Sequence, residues 1–255
     1  MSANGCPGHP FFDTDKPIAF AHRGGALEGI ENTMPTFAHA VELGYGYIET
    51  DVHSTADGRC VVVHDPDLNR VCGRPEIIGE TTWLGLTRID LGGGSTVPLL
   101  EDVLAAWPEV RFNIDAKSDD VVDTLVETLE HTKAFDRVCL GAFDSRRLAR
   151  LRERTAGRTA TVLSPGDTMR VLAGSKKLPA RPKAGDAVQV PVRYKKVHFD
   201  TPRFLDHAHS LGLHVHYWTI DDADEMDRLL DLGADGIMTD RPAVLREVLE
   251  ARGQW

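Results

Sequence analysis

The sequence predicts an α/β protein in which eight strand-helix units close into a parallel barrel. Short apolar runs alternate with segments of helical periodicity along most of the chain, and this is typical of a parallel sheet because each parallel connection needs a crossover. If Ile18 and Tyr47 begin the first two strands, the alternation gives eight units. The length of 255 residues agrees with a barrel that forms one domain. Eight units favour a closed barrel over an open sheet.

Local signals delimit the elements of the first half of the chain. The glycines after His22 interrupt the first apolar run. Asn32 and Thr33 are both residue types that cap a helix N-terminus, and Asp57 with Gly58 has the composition of a hairpin turn. The predicted elements are a strand at 18–21, a helix at 34–43, strands at 47–52 and 60–63, and a helix at 98–107.

Two stretches fall outside this alternation. Residues 66–98 lack periodicity and contain several glycines, including the run at 92–94, so we interpret them as a small insertion or lid and not as a second domain. Residues 1–16 precede the first strand and are interpreted as an N-terminal leader. The barrel itself is assigned to residues 17–255.

The second half of the chain alternates regularly. The predicted strand and helix pairs are 111–116 with 121–131, 138–141 with 145–154, 159–163 with 168–173, 187–190 with 201–211, 214–218 with 223–232, and 236–238 with 243–251. Residues 175–186 form a basic loop rich in Pro and Gly between a helix and the next strand, which in a barrel is the end away from catalysis. We interpret this loop as solvated surface rather than as an anion site.

Composition restricts the possible partners. A net charge of -10 argues against a protein that binds nucleic acid through a basic face. The four cysteines, Cys6, Cys60, Cys72 and Cys139, include no CxxC pair, so we expect reduced thiols rather than a zinc ribbon. No signal-peptide pattern or apolar stretch of membrane-spanning length is evident, so we expect a cytoplasmic protein without stable membrane anchoring.

Carboxylates follow two neighbouring predicted strands. Glu49 and Asp51 share one face of the second strand because side chains alternate. Asn113, Asp115 and Lys117 share one face of the third strand. If both faces point inward, three carboxylates converge at the catalytic end and repel one another unless a cation lies between them. Oxygen ligands suit one divalent cation, Mg²⁺ or Ca²⁺, better than zinc; the alternative is that these carboxylates pair with arginines or cap helices.

Two histidines also end apolar strands. His22 and His64 have the side chain whose ordinary pKa suits proton transfer near neutrality, although a single histidine in such a place is often structural. Arg23 can bind phosphate oxygens with two donors, and Lys117 can add a point charge. A cation, two histidines and these basic groups together suit cleavage of a phosphodiester.

The motifs AHRGG, ENTMPTF, ETDVHSTADG, VVVHD, FNIDAK, HYWTIDD and GADGIMTDRP occur in this order from about residue 17 to the end. In combination they resemble the glycerophosphodiester phosphodiesterase family. The resemblance implies a TIM (β/α)8 barrel with a short insertion after the second strand, and hydrolysis of glycerophosphodiesters to glycerol 3-phosphate and an alcohol. The implied site consists of metal ligands Glu49, Asp51 and Asp115, an acid–base pair of His22 and His64, phosphate contacts from Arg23 and Lys117, and a pocket wall at Trp218.

Three positions depart from the family pattern. Asp115 stands where the family commonly has Glu, and its side chain is one methylene shorter, so looser or water-mediated metal binding is expected. Ala142 precedes Phe143 where many members have Ser, and Asp221 stands where Asn is frequent. The last two changes bear on pocket polarity, and therefore on the substrate, more than on the reaction.

Four other histidines are candidates for a second metal site. His214 and His216 share a strand face, but His207 and His209 lie on a predicted helix, where residues two apart do not face each other. A second site is therefore disfavoured. His53 shares the face of Glu49 and Asp51 and is a candidate to support that site.

Several functional alternatives stay open from the sequence. One is lysophospholipase D or sphingomyelinase D activity on lipid phosphodiesters, although no basic amphipathic helix for a lipid surface is evident. Another is a barrel that binds a phosphodiester without cleaving it. The sequence does not identify the headgroup alcohol, the choice between Mg²⁺ and Ca²⁺, a cyclic phosphate intermediate, or the oligomeric state.

Overall fold

The computed structural model describes residues 8–255. Its strands are β1 (Ile18–His22), β2 (Tyr47–Ser54), β3 (Cys60–Val62), β4 (Arg111–Ala116), β5 (Val138–Gly141), β6 (Ala160–Thr161), β7 (Ala187–Val190), β8 (Arg193–Tyr194), β9 (Val197–His198), β10 (His214–Tyr217) and β11 (Gly236–Thr239). Its α-helices are α1 (Met34–Glu42), α2 (Asn69–Cys72), α3 (Trp83–Leu86), α4 (Leu100–Ala106), α5 (Val121–Thr132), α6 (Ser145–Thr155), α7 (Pro165–Ser175), α8 (Pro202–Ser210), α9 (Ala223–Asp231) and α10 (Pro242–Ala251). Short 3₁₀ helices lie at Pro10–Phe12, Ile78–Glu80 and Phe135–Arg137.

The parallel strands form the predicted barrel. Their order around the sheet is β6, β5, β4, β2, β1, β11, β10 and β7. A parallel bridge between Val162 and Ala187 joins the two ends of this order, and the Leu163 N–H donates to the Ala187 carbonyl over 2.8 Å. The ring is thus completed by a short contact just beyond β6. The barrel prediction is confirmed.

Two hairpins accompany the barrel. β3 pairs antiparallel with β2, and the Thr55 N–H donates to the Arg59 carbonyl over 3.0 Å across the connecting turn, so the turn predicted at Asp57 and Gly58 is confirmed. β8 and β9 form a separate antiparallel pair that the periodicity did not predict. Each of these two strands has only two residues, too few for a repeating pattern to be visible.

Strand register determines which side chains meet at the end of the barrel. In the parallel pairing of β1 with β2, His22 is opposite Glu49. In the pairing of β2 with β4, Glu49 is opposite Asn113 and Asp51 is opposite Asp115. The chemistry-bearing residues of three neighbouring strands therefore lie side by side.

The N-terminal end of the barrel is closed by aromatic side chains. Phe11 and Phe12, in the first 3₁₀ helix, are both buried. The Phe11 ring centroid lies 5.3 Å from that of Tyr47 and 6.4 Å from that of Phe20, and the Tyr47 hydroxyl donates to the Phe11 carbonyl over 2.8 Å. Phe11 and Phe12 of the predicted leader thus pack on the barrel, while residues 1–7 lie outside the described part. The division at residue 17 stays a prediction.

The insertion at 66–98 is ordered around a small core of its own. Helices α2 and α3 and a 3₁₀ turn lie within it, where the sequence showed no periodicity because each is only three or four residues long. The Ile78 N–H donates to the Pro66 carbonyl over 2.9 Å. Its buried apolar residues form a second cluster with the end of β3, comprising Val61, Val63, Leu68, Ile78, Leu86, Ile89, Leu91, Val97 and Leu99.

Element boundaries differ from prediction where caps decide them. Helix α7 begins at Pro165 rather than at residue 168, because Ser164 is its N-cap and accepts from the Asp167 N–H over 3.1 Å. Thr33 is the N-cap residue of α1, but its hydroxyl donates to the Ile30 carbonyl over 2.8 Å and does not cap the helix.

The described residues include no helix whose length and hydrophobicity would let it cross a membrane. Cys60, Cys72 and Cys139 are free thiols, and Cys6 lies outside the described residues.

Candidate active site

The C-terminal ends of β1, β2 and β4 bring the predicted site residues together. The Nε2 atom of His22 lies 3.7 Å from a carboxylate oxygen of Glu49. The ammonium of Lys117 lies 2.8 Å from Asp51 and 2.6 Å from Asp115. All three carboxylates are buried, as the inward-facing interpretation of the strands required.

Asp51 is the most heavily bonded carboxylate of the three. Besides its contact with Lys117, it accepts from the side-chain amide of Asn32 over 3.0 Å, and the Nε atom of Arg23 lies 3.3 Å away. Burial by itself would raise the pKa of Asp51, but Lys117 and Arg23 outweigh burial and lower it. Asp51 therefore stays ionised.

Glu49 and Asp115 have the opposite shift. Burial raises the pKa of Glu49, and the nearby Asp51 carboxylate raises it further, while the nearby cationic groups compensate only in part. Burial also raises the pKa of Asp115 despite its ion pair with Lys117. At these two carboxyl groups, the surrounding cationic side chains do not offset the effect of burial.

The donor set fits a hard divalent cation by its chemistry. Buried carboxylates with raised pKa values gain most from a nearby cation, and carboxylate oxygens are the ligands that Mg²⁺ and Ca²⁺ prefer. In residues 8–255, no group of three or more His, Cys, Asp or Glu side chains is arranged so that it could hold a metal ion. In this arrangement the Lys117 ammonium bridges Asp51 and Asp115, so these two carboxylates face Lys117 rather than a common ligand position.

His22 is oriented by a carboxylate from the other end of the chain. Its Nδ1 atom lies 2.6 Å from Asp240, which directly follows β11, the neighbour of β1 in the ring. Burial lowers the pKa of His22, but Glu49 and Asp240 outweigh burial and raise it. With Nδ1 bonded to Asp240, Nε2 is the ring nitrogen that faces Glu49.

His64 is held in a similar way by its neighbour in sequence. Its Nδ1 atom lies 2.6 Å from Asp65, and its carbonyl oxygen lies 3.1 Å from Nε2 of His53. The ring interacts electrostatically with both Asp51 and Asp115. The structure thus brings His64 to the same site as His22, and it places the candidate His53 in direct contact with the His64 backbone.

Aromatic side chains line one side of the site. The rings of Trp218 and Phe143 meet edge to face with centroids 5.9 Å apart, and the Lys117 ammonium lies 5.7 Å from the centre of the Phe143 ring. Phe143 is 65% exposed. The predicted wall at Trp218 is therefore continued by a second, exposed aromatic side chain.

The residues that depart from the family pattern have distinct surroundings. Asp115 bonds Lys117, and Ala142 is buried. Asp221 accepts from the Thr239 hydroxyl over 3.0 Å and from the Asp240 N–H over 2.8 Å. Asp221 thus supports the segment that orients His22. The sequence predicts an effect of Asp221 on pocket polarity, but it does not predict this supporting contact.

Sequence reasoning missed several polar residues of the site. Asn32 and Asp240 are not among the predicted site residues, yet Asn32 bonds Asp51 and Asp240 bonds His22. Arg23, which is predicted to contact phosphate, also bonds Glu31 over 3.1 Å. The signal for Asp240 was its position after the last strand, which in a closed ring is adjacent to the first.

The remaining histidines lie elsewhere. His214 and His216 belong to the start of β10, at the N-terminal end, where His214 stacks on Phe12 with ring centroids 4.3 Å apart. His209 bonds Asp235 over 2.8 Å. His207, on α8, contacts the backbone of Gly174 so closely that a β-carbon at that glycine would lie 2.2 Å from its Nε2 atom. These four side chains do not converge on one point.

Comparisons with known proteins agree with this geometry. The model of the glycerophosphoryl diester phosphodiesterase family matches residues 22–244. A Mycobacterium tuberculosis protein described as "Probable glycerophosphodiester phosphodiesterase 2" is 37% identical, over 100% of this chain and 99% of its own. A human lysophospholipase D is 29% identical, over 90% of this chain and 85% of its own. The fold matches an Oleispira antarctica phosphodiesterase, solved with its product sn-glycerol-3-phosphate, with a TM-score of 0.76 at 19% identity, over 92% and 97% of the two chains.

Proposed function

The chain belongs to the glycerophosphoryl diester phosphodiesterase family, and on that premise we propose that His22 and His64 are the acid–base pair of its reaction. The protein is an enzyme that hydrolyses glycerophosphodiesters. The proposal concerns how it does so: which side chains move protons, which hold the phosphate and which hold a cation.

One observation carries this assignment. His22 and His64 each bond a carboxylate through Nδ1 over 2.6 Å, Asp240 in one case and Asp65 in the other. A carboxylate on Nδ1 selects the tautomer and leaves Nε2 for proton transfer. Two such dyads at the end of one barrel provide one base and one acid, which is what phosphodiester cleavage requires.

The reaction then follows from these groups. One histidine accepts the proton of the attacking hydroxyl, which belongs to water or to the glycerol of the substrate, as that oxygen bonds to phosphorus. The other histidine donates a proton to the alkoxide that leaves when the second phosphorus–oxygen bond breaks. Arg23 and Lys117 would stabilise the extra negative charge on the phosphate oxygens, and the ion pairs of both side chains with carboxylates support this assignment because they hold the cationic groups in place.

The family generally uses a divalent cation. Glu49, Asp51 and Asp115 are the residues that would hold it here, because they are buried oxygen donors at one end of the barrel. When bound, such a cation supplies Lewis-acid stabilisation of charge on the phosphate. Mg²⁺ and Ca²⁺ both suit this donor set.

The assay that tests the proposal uses glycerophosphocholine and glycerophosphoethanolamine with Mg²⁺, with Ca²⁺, and after chelation. We expect glycerol 3-phosphate to appear with at least one metal and to stop when the metal is removed. Phosphorus NMR during turnover distinguishes attack by water from attack by the glycerol hydroxyl, because only the latter forms a cyclic phosphate. Turnover that continues unchanged after chelation would exclude the role of the three carboxylates.

A second candidate activity is cleavage of lysophospholipids. The observation that favours it is the exposed Phe143 ring beside Trp218, an apolar surface next to the site that could contact an acyl chain. The human and rat relatives that match most of this chain are named lysophospholipase D. Comparison of kcat/KM for lysophosphatidylcholine and glycerophosphocholine separates the two activities, and a preference for the lysolipid that is lost in Phe143→Ala would establish the second.

A further inference from the structure

Arg70 lies in α2, within the insertion, and contacts two carboxylates near the site. Its Nε donates to Asp65 over 2.5 Å, and its two terminal nitrogens donate to the two oxygens of Glu31 over 2.7 and 2.6 Å. A guanidinium that binds one carboxylate with two donors fixes the direction of that carboxylate as well as its distance. Arg70 therefore holds Asp65 and Glu31 at a fixed separation.

Each of these carboxylates holds a side chain of the proposed mechanism. The second oxygen of Asp65 lies 2.6 Å from Nδ1 of His64. Glu31 accepts from Nη1 of Arg23 over 3.1 Å. A continuous chain of charged contacts thus runs from His64 through Asp65, Arg70 and Glu31 to Arg23. Arg70 is its central member.

We propose that Arg70 is a positioning residue that sets the orientation of His64 and Arg23 together by bridging Asp65 and Glu31. The inference rests on the proposed function, in which His64 transfers a proton and Arg23 binds the phosphate. This proposal also gives the insertion at 66–98 a role, because the insertion carries the residue that fixes the positions of His64 and Arg23 relative to each other.

A contribution to stability alone does not account for these contacts. The Arg70 side chain is 49% exposed, and exposed ion pairs contribute only about 0–1 kcal/mol each. The insertion is held by its own apolar core, in which Leu68 is fully buried two residues before Arg70. Loss of the guanidinium should therefore leave the insertion folded and release only the side chains that it bridges.

The same segment provides a matched control. Arg74 lies four residues further along and is 55% exposed, and its ion pair is with Glu76, away from His64 and Arg23. Arg74→Ala removes the same charge as Arg70→Ala and breaks an ion pair of similar exposure. A lower kcat/KM in Arg70→Ala than in Arg74→Ala is therefore caused by loss of the bridge between Asp65 and Glu31. It is not caused by loss of a positive charge from the insertion.

The first test compares these variants in glycerophosphocholine hydrolysis. We expect Arg70→Ala to lower kcat/KM by about 10- to 100-fold, since small misplacement of reacting groups has effects of this size, and to lower Tm by no more than about 4 °C. Arg70→Lys should recover only part of the rate, because one ammonium cannot bridge both carboxylates with fixed geometry. Arg74→Ala should match the parent. Equal rates in Arg70→Ala and Arg74→Ala would overturn the proposal.

The second test separates the two arms of the bridge. Asp65→Asn should lower mainly kcat, because it acts on His64, while Glu31→Gln should raise mainly KM, because it acts on Arg23. Arg70→Ala should show both changes, and adding it to Asp65→Asn should lower kcat little further, because both variants act on His64 through one contact. If the losses of kcat in Arg70→Ala and Asp65→Asn add fully in the double variant, the two residues do not act on His64 through one contact, and the proposed bridge is contradicted.

A His64→Ala variant in the same assay shows which proposal has failed. If His64→Ala keeps the parental rate, the acid–base assignment itself is wrong. If His64→Ala is inactive while Arg70→Ala is as active as the parent, the acid–base assignment stands and only the positioning role of Arg70 is excluded.

Discussion

The two ends of the barrel each contain a pair of histidines, but the two pairs have opposite surroundings. At the C-terminal end, His22 and His64 each bond a carboxylate over 2.6 Å. At the N-terminal end, the ring of His214 stacks on Phe12 at 4.3 Å, and the ring of His216 lies 6.1 Å from it. The same side chain is therefore placed among carboxylates at one end and among aromatic rings at the other.

The pKa values follow this difference. Burial lowers the pKa of His22, but Glu49 and Asp240 outweigh burial and raise it. Complete burial lowers the pKa of His216 to about 3, with a smaller contribution from His214. The carboxylate partners of His22 therefore favour its protonated form, whereas burial of His216 favours its neutral form, although both residues belong to strands of the same barrel.

The strongest change in activity is expected at the C-terminal end of the barrel. His22→Ala and His64→Ala should each lower kcat by on the order of 10²- to 10⁴-fold, as expected for loss of an acid or base, without a large change in Tm. Steady-state kinetics with glycerophosphocholine measures this. His39→Ala is the control, because His39 is 45% exposed and its ring pairs with Glu28, away from the two pairs that are compared. If His22→Ala and His64→Ala are as active as His39→Ala, the histidines at the C-terminal end have no role in the reaction that those at the N-terminal end lack.

The next effect concerns the N-terminal end, where packing rather than chemistry is expected. Phe11→Ala removes a fully buried ring and should lower the free energy of unfolding by about 3–5 kcal/mol, while kcat stays near the parental value. Phe143→Ala, at the C-terminal end, should change stability by less than about 0.5 kcal/mol because that ring is exposed. Urea unfolding of both variants tests the contrast, which fails if the two variants are equally destabilised.

A pH dependence follows from His216. Its pKa in the folded protein, about 3, lies below the ordinary value of 6.5, so below pH 6.5 the unfolded chain binds a proton that the folded chain does not. The free energy of unfolding should therefore fall as the pH drops from about 6.5 towards 3, by about 1.4 kcal/mol per pH unit from this group. His216→Asn should have a shallower slope than the parent in urea titrations between pH 4 and 6.5. An unchanged slope in His216→Asn would show that another group causes the acid sensitivity.

The smallest effect has the opposite sign. The hydrogen bond that His209 donates to Asp235 raises the pKa of His209 above 6.5, so this pair stabilises the folded protein fully below pH 6.5 and loses its effect as the pH rises through the raised pKa. His209→Gln should lower the free energy of unfolding at pH 5.5 by about 1 kcal/mol or less, and by a smaller amount at pH 8.5. Urea titrations at the two pH values test this, and a larger loss at pH 8.5 would contradict the assigned sign.

Several features of the site were predictable because they depend on local pattern. Glu49 and Asp51 could be placed on one face from alternation alone, and Asp115 followed from the same rule applied to the next strand. Because the C-terminal ends of parallel strands meet at one end of a barrel, these residues could be expected to converge. The structure places all three there, buried.

Other features depend on contacts between distant segments. His22 and Asp240 are 218 positions apart, and Arg70 and Glu31 are 39 apart. Short helices such as α2 have no periodicity to detect, so the orientation of Arg70 could not be inferred. The aromatic closure by Phe11 and Phe12 likewise depends on the barrel being closed first.

Strand alternation and helix periodicity are local properties of the chain, and they were enough to predict the barrel and the convergence of the carboxylates, while the ordered motifs carried the resemblance to the family. The carboxylate that holds each histidine, the bridge of Lys117 between Asp51 and Asp115, and the aromatic surroundings of His214 and His216 depend on the folded arrangement. The physical reason is that a pKa and an orientation depend on partners within a few ångströms, and ring closure brings such partners from remote parts of the chain.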